Sequence, residues 1–438
     1  MLRVLVAVFL IVLVIEGAIR KWILPEYSVE VFVVKDVVIV LTLAAYAGMA
    51  QRNVPRSLDA FAWLIWVLLV LGYAVAAGFS FQSLVGLRYY LAPLPLILIM
   101  PALIRNITDL ERTAAWAVRL SIPIGVLGIV QYLSPVDDPL NIYAWSGEQK
   151  SATFGLTLEE VFSGHWRPRV TATFSYISTY ASFLAIAWLL AWLSLLYGRR
   201  RSDRAIAGAG LVLIAFNMAM NGSRGLLIVA AVSAVPFAIS LTRRLGLFKT
   251  QLLAVLGMLM VGYAGISIFE PFALTAFRAD AEEATGRITG QALLPFATLA
   301  EVDFAGTGIG TTFGGYEQLG HGANTGFDEV NIDRIGIEMG VPGYLYLLFI
   351  KILMVVKAFR VYRRARSIVL RDWALAALLV QLGSVWHIPF YNAVAATVYF
   401  CAIGLIYWIE AEERRLRALL RTAQPERQRP QLALAAWR

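Results

Sequence analysis

The sequence predicts an all-α, polytopic integral membrane protein of about twelve transmembrane helices, each near the ~20 residues that cross a ~30 Å hydrocarbon core. Three observations carry that expectation. Hydrophobic residues make up 59% of the 438 residues and charged ones only 15%, against about 45–50% and about 25% in soluble domains. The mean hydropathy is +0.69. The apolar residues gather into long runs separated by short polar connections. These features exclude a cytosolic enzyme, a nucleic-acid binder and a disulfide-stapled secreted module. The one cysteine, Cys401, lies in the apolar run VYFCAIGLIYW, so no internal disulfide can form and no cysteine cluster can hold zinc. No fixed-period repeat or low-complexity tract interrupts the chain.

The runs fall near 2–18, 29–50, 58–78, 83–104, 113–133, 170–197, 205–221, 224–242, 250–269, 335–356, 372–388 and 390–410. The first has no small-residue cleavage site and leads straight into EGAIRKW, which reads as a retained helix rather than a signal peptide. Lys and Arg in the connections set the orientation. Most of the 38 basic residues fall in Arg3, the even-numbered connections and the C-terminal tail, which places both termini in the cytoplasm. One short loop disagrees, because Arg20 and Lys21 fall outside. The expected organisation is N-terminal transmembrane helices over 1–133 and a long outer loop over 134–169. Central helices over 170–269 precede a second long outer loop over 270–334, C-terminal helices over 335–410 and a basic cytoplasmic tail over 411–438. The second loop reads as an amphipathic helical stretch, then the glycine-rich turn GTGIGTTFGG, then a helix start at FDEVNIDRIGIEMGVPG.

Charged residues against lipid need a reason, since an arginine at the bilayer centre costs at least about 2.5–3.5 kcal/mol. Arg224, in NGSRG between the seventh and eighth runs, is either an anchor for phosphate oxygens, which guanidinium binds bidentately, or a snorkelling residue in a tight turn. Arg169 and Arg167 before the sixth run, Arg287 in the second long loop and Arg88 in GLRYYLAPL share that side of the membrane. Singly each reads as solvated or snorkelling; jointly they suit a bound anion. Glu329 and Asp333 stand one helical turn apart. Glu329 suits a general base or a helix N-terminus, and Asp333 the latter. His321, in LGHGANTG, is a weaker site candidate, and His165 and His387 weaker again. No HExxH, CxxC or carboxylate cluster supports a protein-held metal, and GTGIGTTFGG lacks the preceding strand and the Gly-Lys-Ser/Thr ending of a phosphate loop.

Four segments, taken in order, resemble the O-antigen ligase and polymerase family. They are RVTATFSYISTYASFLA, NMAMNGSRGLLIVAAV, TGRITGQALLPFATLAEVDFAGTGIGTTFGG and DEVNIDRIGIEMGVPGYLYLLF, covering roughly 167–350. The opening EGAIRKWILP is also similar to members of this group. The resemblance implies a membrane-embedded glycosyltransferase of the bacterial inner membrane that needs neither metal nor cofactor. Its donor would be an oligosaccharide on undecaprenyl pyrophosphate at the periplasmic face, with membrane lipids and a chain-length regulator as further partners and no nucleic acid. It also implies that Arg224 and Arg287 bind the pyrophosphate, with Arg169 a looser match. Ligases of the family place a catalytic histidine at a fixed distance before the first glycine of a Gly-x-x-Gly motif. Counted back from Gly340, that position is Glu329, and His321 lies further upstream. Polymerases more often lack the histidine, so polymerase is the expected activity, with Glu329 or His321 as base. A ligase acting on lipid A-core is the runner-up. A transporter or flippase of lipid-linked glycan is the rival from another class, with Lys35, Asp36 and Arg119 its only deep charges.

Overall fold

The computed structural model describes residues 1–49, 58–135, 138–145, 148–151, 159–161, 165–245, 302–312, 331–385 and 390–435. These residues form a helical bundle with two short β-hairpins in the first long loop. Helix α1 (Leu2–Ala18) runs into a π-helical turn, Ile19–Ile23, and then α2 (Ser28–Ala47). There follow α3 (Leu58–Ala76), α4 (Phe81–Leu91), α5 (Leu96–Leu103) and α6 (Ile107–Leu133). The hairpins pair Ile142–Trp145 with Glu148–Ser151 and Glu159–Val161 with His165–Arg167. The remaining helices are α7 (Ile177–Tyr197), α8 (Arg201–Met220), α9 (Arg224–Leu245), α10 (Asn331–Arg364), α11 (Ile368–Val385) and α12 (Ala393–Ala435).

Ten helical segments among the described residues are long and apolar enough to cross a membrane. Helix α2 is not one of them, because Glu30, Lys35 and Asp36 interrupt its apolar run. The expected span at 250–269 lies outside the described residues. Apolar side chains such as Leu64, Leu68, Ile228, Val232 and Phe349 point outward, as lipid-facing residues do. The interior is aromatic in places: Trp66 stacks on Phe390 at 5.8 Å, and Tyr90 meets the same ring edge-on at 5.4 Å. Polar contacts join α6, α7 and α8. Fully buried Asn217 donates to Gly125 O at 3.0 Å and accepts from the Tyr180 hydroxyl at 2.8 Å. Gly125 and Gly128 leave room for it, as small residues do where membrane helices approach closely.

Two expected spans are broken. The run at 83–104 is interrupted at Ala92–Pro95, where Pro93 and Pro95 supply no N–H and bar a regular helix. The chain crosses the gap on three-residue turns, with Leu94 N bonding Leu91 O and Leu96 N bonding Pro93 O, both at 3.1 Å. The run at 335–356 belongs to a longer helix, α10, that bends at Gly340 (φ 62°, ψ −167°). A side chain at Gly340 would meet the backbone of Phe304 and Ala305. The regular helical repeat that begins at Asn331 therefore ends before Gly340. The segment 411–438, expected as a separate tail, begins as a continuation of α12, and Glu413 accepts from Arg366 N at 3.0 Å and Ser367 N at 3.3 Å.

The contacts define two ends. The termini end holds Arg3 with Asp109 at 2.6 Å, Lys357 with Asp59, and Lys357 with Glu410 at 3.6 Å. The opposite end, here the loop end, gathers the π-turn, residues 138–145 and 165–176, the 221–223 turn, residues 302–312, the bend at Gly340 and Tyr391. Because only glycine tolerates the dihedrals at 340, Gly340→Ala is expected to cost about 2 kcal/mol or more. Gly208 in α8 has nothing within 4 Å of an added Cβ, and Gly208→Ala should hold or slightly raise stability. Thermal unfolding midpoints in detergent compare the two.

Candidate functional site

At the loop end the structure brings two of the sequence-predicted arginines to one turn. Helix α8 closes at Asn221, Gly222 turns the chain at φ 71°, and α9 opens at Arg224. Asn221 is fully buried and donates from Nδ2 to Val170 O at 3.0 Å and Ile177 O at 3.2 Å. It thereby ties the segment before α7 to this turn. Arg169, on that segment, donates from Nε to Asn221 O at 2.9 Å. Its guanidinium covers Gly222, where an added Cβ would lie 2.7 Å from Nε. Arg169 thus reaches the turn that precedes α9, whose backbone conformation requires glycine.

The segment carrying Arg169 is pinned from below. Ala172 is fully buried at φ 47°, a conformation that costs an L residue about 1–2 kcal/mol and persists only where its surroundings over-determine it. Lys21 donates to Ala172 O at 2.7 Å and to Thr171 Oγ1 at 3.1 Å, while Ala172 N donates to Gln131 Oε1 at 2.8 Å. Lys21 is 2% exposed and Arg20 4%. Arg20 donates to Ser28 Oγ at 2.9 Å and pairs with Glu16 at 3.4 Å, and Lys35 pairs with the same carboxylate at 2.6 Å. These two residues, which break the positive-inside pattern in the sequence, are internal bonding groups rather than solvated loop charges. Arg88 joins this cluster instead of the 169–224 turn. It donates from Nε to Asp36 at 2.6 Å and lies over Phe32, 4.1 Å from the ring centre.

A second knot forms around Glu338, which is fully buried in α10. One carboxylate oxygen accepts from the Tyr90 hydroxyl at 2.7 Å and Gly310 N at 2.8 Å. The other accepts from Thr312 N at 3.0 Å and the Thr312 hydroxyl at 2.5 Å. The glycine-rich turn wraps this carboxylate with Gly306, Gly308 and Gly310 at positive φ, and Gly310 lies against Gly86 of α4, where a Cβ would clash. Tyr90 and Tyr391 share a hydroxyl contact of 3.0 Å. Since Tyr90 donates to Glu338, Tyr391 supplies the proton of that contact. Burial first, and the Glu338 charge second, hold the Tyr391 hydroxyl well above the usual phenol range, so it keeps that proton. Beside the knot lies an open groove of about 440 Å³ between Tyr73, Ala76 and Ala77 of α3, residues 304–308 and Pro342.

Arg287, His321 and Glu329 lie outside the described residues, and for Arg224 the helix position alone is described. Four groups were missed by sequence reasoning: Glu16, Lys21, Arg334 and Glu338. The signal for Lys21 was its violation of the positive-inside pattern. For Glu338 it was a lone carboxylate in IGIEMGVPG at the head of an apolar run. No family model matches the chain, and no curated protein matches it.

Glu338→Ala would leave two buried N–H groups and two hydroxyls without an acceptor. It is expected to cost about 3 kcal/mol or more. Thr312→Val, which removes a single hydroxyl donor, should cost about 1 kcal/mol. Tryptophan-fluorescence melts in detergent rank the two, and equal midpoints for Glu338→Ala and the parent chain would refute the knot's structural role.

Proposed function

We propose that the chain is a metal-independent membrane glycosyltransferase that polymerises undecaprenyl-pyrophosphate-linked oligosaccharide repeat units. The product would be O-antigen or exopolysaccharide, made at the periplasmic face of a bacterial inner membrane. The observation that carries the reading is the meeting of Arg169 with the turn that opens α9 at Arg224. In the transfer, the bond between the anomeric carbon and pyrophosphate breaks and the acceptor hydroxyl oxygen bonds that carbon. Its proton passes to a base, and polyprenyl pyrophosphate leaves with both bonding electrons. Fixed guanidinium groups stabilise the charge that develops on the leaving group. Glu329, or His321, is the candidate base. Transfer to lipid A-core by a ligase uses the same donor chemistry and differs only in the acceptor.

The broken helices favour a second reading, a transporter or flippase, because such proteins bind substrate at helix interruptions. Against it, the three deep charges that the sequence offered for a pathway are in ion pairs within the bundle. Lys35 is held by Glu16, Asp36 by Arg88, and Arg119 by Asp203.

Reconstitution with a lipid-linked oligosaccharide separates the readings. Elongation without lipid A-core means polymerase, core-dependent transfer means ligase, and movement between leaflets without elongation means flippase. Arg224→Ala and Arg287→Ala are expected to lower elongation by about a hundredfold or more, the scale on which removed transition-state donors act, with membrane insertion unchanged. Polymer of normal length from both variants would remove the arginines from the mechanism.

A further inference from the structure

Arg334 stands in the first turns of α10, four residues before Glu338. Arginine and glutamate at that spacing ordinarily pair on a helix surface. Here the carboxylate is turned into the bundle and its lone pairs are taken by Tyr90, Gly310 and Thr312. Glu338 is therefore not a counter-ion for Arg334.

What remains beside it is aromatic. Its Cζ lies 5.2 Å from the centre of the Tyr391 ring, and its Nε is buried with no hydrogen-bond partner. Among the described residues the ion pairs at the loop end go to Arg20, Lys35 and Arg88, and none goes to Arg334. A buried charged donor left unmet is costly, and an orphan of this kind needs an explanation in a ligand or a role. The platform under it is fixed. Tyr391 is held by the Tyr90 hydroxyl at 3.0 Å and packs on Tyr89 at 5.1 Å, and Tyr90 is bonded to Glu338. The guanidinium therefore lies beside the same knot that occupies Glu338.

We propose that Arg334 is a phosphate-binding residue of the transfer site, taking the diphosphate of the polyprenyl-linked donor through its half-buried guanidinium. This rests on the function proposed above. A guanidinium matches two phosphate oxygens at once, and the Tyr391 ring beside it stabilises the cation. An anionic phospholipid headgroup offers the same chemistry, so the test distinguishes the two sources.

The full-length chain in phosphatidylcholine nanodiscs is titrated with farnesyl pyrophosphate, with and without added phosphatidylglycerol. Arg334→Gln is expected to weaken farnesyl pyrophosphate binding about tenfold or more, and Arg334→Lys, which keeps the charge but loses the fork, by less. Affinity equal to the parent chain in both variants overturns the proposal. So does a loss confined to phosphatidylglycerol, which would make Arg334 a headgroup contact. If Arg334→Gln does not fold, Arg334→Lys decides: affinity within about twofold of the parent chain overturns the assignment, and about threefold or greater weakening supports it. Failure of the functional reading looks different. The parent chain would then bind farnesyl pyrophosphate, lose that binding with Arg334→Gln, and still not elongate a lipid-linked oligosaccharide.

Discussion

A carboxylate buried without a cation is the constraint on which the loop end depends. Glu338 is enclosed at the head of α10 and survives there because four donors from two separate parts of the chain converge on it. Two of those donors are backbone N–H groups of the glycine-rich turn. A concave run of backbone N–H groups is how proteins cradle anions, and here the anion is the protein's own. That answers why GTGIGTTFGG resembles a phosphate loop yet lacks its other parts. The turn is spent on holding residues 302–312 against the bend at Gly340, with Thr307 N bonding Ile337 O at 2.7 Å and Gly308 N bonding Glu338 O at 2.9 Å.

The same logic governs the first helical pair. Glu16 accepts two cations, Asp36 a third, and Lys21 is satisfied by neutral oxygens of Thr171 and Ala172. Burying charge is tolerable only where each group keeps partners. Those partners lie far away in sequence, so each bond also joins distant segments. Lys21 links the π-turn to the segment leading to Arg169, and Asn221 links that segment to the turn before Arg224. The arginine turn is thus positioned by a polar scaffold that begins at the first helix.

Most of the spans were legible because an apolar run of sufficient length has few other uses, and the turn that Arg169 reaches was approached because Arg224 sits beside turn-forming residues in an apolar setting. The breaks were not legible from hydropathy, which counts Ala92–Pro95 as four acceptable residues and cannot see that two lack an N–H. The Gly340 bend depends on a contact with Phe304 and Ala305, across a long stretch of chain, so local sequence carries no trace of it. Glu338 was not singled out in the sequence, because the bonding pattern that distinguishes it exists only after Tyr90 and Thr312 have been brought to it. Arg88 looked like one more guanidinium on the outer side. Its carboxylate partner, Asp36, was in view only as a candidate deep charge of a transporter.

Interrupted helices have two physical uses, and the contacts separate them here. In an ion or substrate pathway the freed carbonyls and N–H groups face a cavity and serve the cargo. At Gly340 they face protein instead. The freed backbone receives residues 304–308, whose own N–H groups bond Ile337 and Glu338 carbonyls. At Ala92–Pro95 the gap redirects α5 onto α12, where Gly404 lets the two backbones approach, an added Cβ there lying 3.0 Å from Ile97 O. Both interruptions are thus accounted for by packing, one docking a loop and the other a helix. With Lys35, Asp36 and Arg119 in ion pairs and its helix breaks filled by its own backbone, the bundle holds one end in a fixed shape.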